Sequence, residues 1–361
     1  MKILFIAPHL STGGMPEFLR KRIEALTTYS EHEIWVVEYS NYSNEYTVQK
    51  EKIRHLVGKE RLMSLGWSTE NKNLVDKKYL ELKNLVEERK FDIIHIESFV
   101  EKFDTFNKIT DNLLDFLFNK NRTWKIVETP HGNNYDSTFS KKYIPDGYMY
   151  CTEFHLSNEF SKFYKQTPVI NVEYPVENKS SLNTLSPFSK YVKNILNIGL
   201  WAPHKNQKQV IDLAREVHLR YPNEYRFHFV GNLAENFRFY WEPLLNKLPP
   251  NVVVWNERND IDSFYSNCDA VIHLSLNELN PLVLKEALSF SKKIFLNNLD
   301  VYFNRWDCNA VMATGDTKVD ATLLVELLKN SSIPHNRVTN LNILEEFSAL
   351  HTSFYKDLIS K

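Results

Sequence analysis

The chain has 361 residues, 43% hydrophobic and 25% charged, a globular composition whose length fits two domains that each bury a core. Its 44 Lys and Arg against 45 Asp and Glu divide evenly: residues 1–180 carry 25 basic and 26 acidic side chains, leaving 19 and 19. Neither half therefore has the positive field that non-specific nucleic-acid or anionic-membrane binding needs, and three scattered cysteines (Cys151, Cys268, Cys308) exclude a disulfide scaffold or zinc finger and fit a reducing, cytoplasmic compartment.

Residues 2–8 (KILFIAP) read as a buried strand; the apolar run is too short for a signal peptide. Gly13-Gly14 follows in a turn, and the spacing of Phe18, Leu19, Ile23 and Leu26 predicts a helix over 16–27. On that helix Arg20, Lys21 and Arg22 read as a solvated face, with a membrane-docking patch as the alternative. Residues 33–39 (EIWVVEY) are a second strand, and 40–72 a polar loop with short helical pieces. A helix over 74–90 and strands over 92–97 (DIIHIE) and 124–129 (WKIVET) come next. A strand over 148–152, a helix near 154–164 and a strand over 169–172 complete the half.

Residues 174–190 (YPVENKSSLNTLSPFSK) lack either period and read as the linker. Beyond it the expected strands are 194–200, 227–231, 252–255, 270–275 and 293–296. The expected helices are 207–220, 237–247, 261–267, 281–290 and 319–329, with a last one over 342–358. No run of about 18 apolar residues spans a membrane. The alternation predicts α/β architecture: two Rossmann-like, doubly wound parallel-sheet domains facing across a cleft. Expected boundaries are 1–178 and 190–335, with 336–361 packing back across the interface.

Only nine glycines occur, and five of them (Gly13, Gly14, Gly132, Gly199, Gly231) stand at strand ends, where ligands of such sheets bind. The densest chemistry lies in 275–287, SLNELNPLVLKEA. A strand ends at Ser275, a loop carries Glu278, and a helix is expected to open with Asn280 as N-cap and Pro281 in its first position. Its free amides and positive dipole end make a phosphate seat. Glu286 interrupts an apolar stripe of Val283, Ala287 and Phe290. A carboxylate there needs a partner, which ribose hydroxyls or a surface lysine would supply.

This paired-glutamate segment resembles that of retaining, GT-B-fold glycosyltransferases of glycosyltransferase family 4. The resemblance implies that Glu286 holds the nucleotide ribose and that Glu278 lies beside the transferred sugar and diphosphate. Leu279, Asn280 and Pro281 stand where the family has Gly-Phe-Gly, so the amides of Leu282 and Val283 take the phosphate contact. The segment 199–207 (GLWAPHKNQ) is similar to the family's Pro-x-Lys stretch, which makes Lys205 the cation for the diphosphate; Gly199 and Leu200 occupy the family's arginine positions. Gly13 and Gly14 match a glycine pair bordering the sugar diphosphate. The sequence Thr129-Pro130-His131-Gly132 matches a histidine beside the donor sugar. Gly231-Asn232 and residues 256–259 match the nucleobase site, with Arg258 a candidate for base stacking or for the missing arginine. His9, His95 and His273 read as structural.

What the resemblance implies is donor binding to the second domain, acceptor binding to the first through loops in 40–72 and 133–146, and no metal or other cofactor. The catalytic set is His131, Glu278 and Lys205. The donor is a UDP-sugar before a GDP-sugar, and the acceptor a carbohydrate, a lipid-linked glycan or modified DNA. The alternatives are a non-catalytic nucleotide-sugar or carbohydrate binder, an inverting transferase using His131 or Glu17 as base, and a transferase acting on phage DNA.

Overall fold

The computed structural model of the chain describes residues 1–11, 13–40, 48–67, 72–97, 111–131, 142–152, 167–302, 310–330 and 343–361. It divides into two compact units, Met1–Pro175 with Asn342–Lys361, and Val176–Leu341.

In the first unit the order is β1 (Lys2–Ala7), α1 (Gly14–Tyr29), β2 (Glu33–Ser40), α2 (Val48–Val57), β3 (Leu62–Trp67), α3 (Lys72–Arg89), β4 (Ile93–Ile96), α4 (Asp111–Leu117), β5 (Lys125–Glu128), β6 (Gly147–Tyr150) and β7 (Val169–Asn171). These strands form one parallel sheet, β3-β2-β1-β4-β5-β6-β7. Ile3 pairs with Ile34 on one side and Ile93 on the other. Strands covered on both faces have no polar side to present, which is why β1 and β4 read as unbroken apolar runs. The strand order reverses at β1/β4, so the ligand crevice of such a sheet lies outside the carboxyl ends there.

Within 40–72, expected to be a loop with short helical pieces, stand a ten-residue helix and an edge strand. Gln49, Ile53 and Val57 form the buried stripe of α2, and its other faces are polar, which hid the period. Buried Glu38 ties this region down: one carboxylate oxygen accepts from the Leu10 amide (2.8 Å), the other from Lys50 (2.7 Å) and Ser64 (2.9 Å). The expected helix near 154–164 and Gly132 lie outside the described residues, as does most of 133–146.

In the second unit the order is β8 (Lys193–Ile198), α5 (Gln207–Arg220), β9 (Tyr225–Val230), α6 (Arg238–Leu245), β10 (Val252–Trp255), α7 (Ile261–Asn267), β11 (Ala270–His273), α8 (Leu282–Ser289), β12 (Lys293–Leu296), β13 (Ala310–Met312) and α9 (Thr317–Lys329). The sheet is again parallel, β10-β9-β8-β11-β12-β13, and reverses at β8/β11. Trp201, Phe227, Phe229, Ile272 and Leu324 build its core, each burial contributing about 1.5–3 kcal/mol. The last helix, α10 (Ile343–Ile359), packs on α1 of the first unit.

Candidate donor site

Two loops at the carboxyl ends of β8 and β11 are laced together by backbone groups. The chain leaves β8 through Gly199 (φ 154°), makes one tight turn at Pro203–Lys205 and enters α5 through Asn206 in a left-handed conformation (φ 55°). The Leu276 amide donates to the His204 carbonyl (2.7 Å), as does the Ser275 hydroxyl (2.9 Å). Asn206 and Asn297 both donate to the Leu274 carbonyl, at 3.2 and 2.8 Å. Gly231 lies so close beneath that a Cβ there would stand 2.0 Å from the Gly199 carbonyl oxygen.

The lacing brings Lys205 and Glu278 together. Lys205 Nζ is 2.6 Å from Glu278 Oε1, and His273 Nε2 is 2.9 Å from the same oxygen. Burial alone would raise the Glu278 carboxyl, but the His273 hydrogen bond and the Lys205 charge hold it well below the usual carboxylate range. Glu278 is thus an anion at neutral pH. His273, expected to be structural, is one of its partners. Near this carboxylate is the Tyr302 phenol, only 1% exposed and without a hydrogen-bond partner among the described residues. Burial, and then the Glu278 charge, push its ionisation up, so it stays a neutral donor.

Helix α8 starts one residue later than expected. Pro281 is extended (φ −70°, ψ 101°) and is the N-cap, with no side chain capping it; Leu282 is the first helical residue. Proline's lack of an N–H leaves Leu282 and Val283 as the leading amides, while Leu284 N–H turns back to the Pro281 carbonyl (3.1 Å). An anion at this end would meet those amides and the dipole. Just over one turn inside, half-buried Glu286 accepts from the Tyr265 hydroxyl (2.8 Å), and Tyr265 stacks on Phe290 with ring centroids 5.4 Å apart. The carboxylate that interrupts the apolar stripe is therefore held by a phenol.

Arg258 is exposed and forked onto Asp260, with two bonds of 2.8 Å. Beside it, burial raises the Glu257 carboxyl to about 7, and its Oε1 has no partner among the described residues. The buried Asn232 Oδ1 beyond β9 is likewise without one. Polar atoms without partners among the described residues thus stand after β9, β10 and β12, along the edge where such sheets bind ligands.

In the first unit Gly13 (φ 134°) is the N-cap of α1, and Gly14 its first residue. His131 Nε2 is 2.8 Å from Glu97 Oε2. Glu97, at the end of β4, is fully buried and paired through its other oxygen with Arg22. Arg22 is not on a solvated face: it is 0% exposed, on the inner stripe of α1 with Phe18, Leu19 and Ile23, because Glu97, Thr129 and His351 satisfy its guanidinium. Arg20 and Lys21 pair with Glu17 and Glu24. Neither Glu97 nor Arg22 was expected beside His131; a glutamate closing an apolar strand is the signal that could have singled out Glu97. Among the described residues no three His, Cys, Asp or Glu gather into a metal-ligand set, and no helix is long and apolar enough to cross a membrane.

Comparison with known folds gives this arrangement a context. The chain is similar in structure to HepE of Anabaena solved with UDP and glucose, at TM-score 0.65 and 15% identity, over 100% of this chain and 97% of that one. It is similar to sucrose-phosphate synthase of Thermosynechococcus elongatus at TM-score 0.68 and 13% identity, over 99% of both chains. A glycosyltransferase of Rickettsia africae gives 0.67 and 13%, over 99% of this chain and 98% of that one. The fold is GT-B. Residues 186–305 also match the family model described as glycosyl transferases group 1. That third of the chain holds β8 to β12 of the GT-B fold, with Lys205, Glu278 and Glu286. By sequence, no curated protein matches.

Proposed function

We propose that this chain is a cytoplasmic glycosyltransferase that moves a sugar from a nucleotide-sugar to an acceptor hydroxyl, retaining the anomeric configuration and using no metal. The donor is a UDP-sugar before a GDP-sugar. One observation carries the reading: Lys205, Glu278 and the open amide end of α8 stand together at the carboxyl edge of the second sheet, with Glu286 just over one turn along. Glu286 takes the ribose hydroxyls. Lys205 and the Leu282 and Val283 amides receive the diphosphate and stabilise its departure as the glycosidic C–O bond breaks. The acceptor oxygen bonds to the same face of the sugar and its proton passes to the departing phosphate oxygen. Glu278 lies beside the transferred sugar. The match over 186–305 supports the reaction class, and the UDP and UDP-glucose bound by HepE support the donor class.

The test is release of nucleoside diphosphate from a panel of nucleotide-sugars, with chelator present, followed by anomer analysis of the product. Release with retention is expected; release only on adding a divalent cation, or an inverted product, contradicts the mechanism. Binding without turnover would favour the non-catalytic binder, a reading favoured by Leu279-Asn280-Pro281 in place of Gly-Phe-Gly.

A further inference from the structure

Two donors meet on one oxygen in the second unit, and they differ in their freedom to move. Glu278 Oε1 lies 2.6 Å from Lys205 Nζ and 2.9 Å from His273 Nε2. An ionised carboxylate only accepts, so His273 presents Nε2–H to it, whatever the state of Nδ1.

His273 is the last residue of β11, which runs between β8 and β12 inside the sheet. It pairs with Leu296, its carbonyl accepts from the Asn297 amide (3.3 Å), and its side chain is 4% exposed. A ring packed on a central strand has no second place to go. Lys205 is its opposite. It ends the single turn Pro203–Lys205, its side chain is 25% exposed, and its ammonium rides on a flexible four-carbon stem. An anion arriving at this edge can draw Lys205 away; it cannot draw His273.

The difference matters to Glu278. Its side chain is 9% exposed, and a carboxylate so far out of water is stable only while donors replace the water it has lost. A Lys205 ammonium turned towards a diphosphate gives up part or all of this contact, and the donor that then remains on Oε1 is His273. The chain divides the two in the same way. His273 and Glu278 are five residues apart on one strand–loop segment, whereas Lys205 comes from another loop, 73 residues away.

We propose that His273 is the positioning residue of Glu278: it holds the carboxylate at the edge of the sheet while Lys205 exchanges that carboxylate for a diphosphate. The exchange rests on the donor site proposed above; the holding of Glu278 by His273 when the lysine is gone does not.

Urea unfolding of the full chain tests the holding without any ligand, with Lys205→Ala standing in for a lysine drawn away. His273→Phe keeps a ring in the space and removes the donor. It should cost more in the Lys205→Ala background than in the wild type, by roughly tenfold or more in the unfolding equilibrium, because there it strips Glu278 of both donors. Adding Glu278→Gln should remove the excess, and His273→Gln, which keeps an N–H, should show less of it. Losses that simply add, or an excess that survives Glu278→Gln, overturn the proposal. A double variant that does not fold is decided the same way, by whether Glu278→Gln restores it. Calorimetry with UDP tests the exchange. His273→Phe should bind UDP about tenfold more weakly, since Glu278 then keeps Lys205 to itself, and Glu278→Gln in the same chain should restore the affinity. Wild-type affinity in His273→Phe overturns the exchange. If neither UDP nor GDP binds any form of the chain, the donor-site reading fails and the exchange with it, while the unfolding series still decides whether His273 holds Glu278.

Discussion

Lys205 Nζ lies 2.6 Å from Glu278 Oε1, across 73 residues of sequence, and the two side chains are 25% and 9% exposed. The glutamate thus positions the lysine in the unliganded protein. Lys205→Ala should lower kcat by roughly 100-fold or more, the range for a lost oxyanion-type donor. It should move Tm little, because His273 still bonds Glu278. Unchanged turnover would place the diphosphate contact elsewhere.

Glu286→Ala should weaken nucleotide binding by ~1.5–3 kcal/mol through lost charge-assisted hydrogen bonds, measured by calorimetry. The fold should persist, since the Tyr265 hydroxyl keeps the Val283 carbonyl within reach at 3.2 Å. Equal affinity in the variant would remove Glu286 from the ribose site.

Gly231→Ala should destabilise by at least about 2 kcal/mol, as read in urea unfolding. The backbone there has φ 155°, and the added Cβ would collide with the Gly199 carbonyl, a backbone atom that cannot swing aside. Tyr302→Phe has the opposite sign. It deletes a buried hydroxyl that has no partner among the described residues and should raise the stability of the unliganded protein by about 1 kcal/mol. A loss of stability would mean that the hydroxyl is bonded.

Stability should fall on acidification below pH 6.5. Burial holds His9 and His228 to about 4 and His351 to about 3, so between those values and 6.5 the unfolded chain binds protons the native one does not. His131 works the other way. Its raised value contributes stability that is fully present below pH 6.5 and lost as pH rises through 9. Denaturant midpoints across pH 4–10 should therefore peak between; a midpoint that keeps rising from pH 6.5 to 10 would contradict the buried His131–Glu97 pair.

Where packing and local pattern agree, the sequence was legible to the residue. The expected bounds 207–220, 252–255, 261–267 and 293–296 are those of α5, β10, α7 and β12. Helix α2 was legible only as short helical pieces, because it buries one narrow stripe, and edge strand β3 was not legible, because Ser64 and Gly66 interrupt its short apolar run. β13 has three residues, too few to show a period. In the candidate site, Lys205, Glu278 and Glu286 were visible as polar residues at strand and helix ends. Arg22 was not. A charge at helical spacing inside a basic triplet looks solvated until Glu97, 75 residues on, is seen to neutralise it. His273 and Tyr302 needed the third dimension for the same reason, since their relation to Glu278 is set by the crossing of loops.

If the second unit holds a nucleotide-sugar donor, nucleotides should stabilise the chain against heat. UDP, GDP, ADP, CMP and dTDP would be compared with chelator and with magnesium, on the wild type and on Glu286→Ala. A ligand at 100 times its dissociation constant adds ~2.7 kcal/mol to the folded state. UDP, or failing it GDP, should raise the wild-type Tm without metal, and Glu286→Ala should lose most of the shift. No shift from any nucleotide at millimolar concentration, or one that Glu286→Ala keeps in full, would contradict a donor site there.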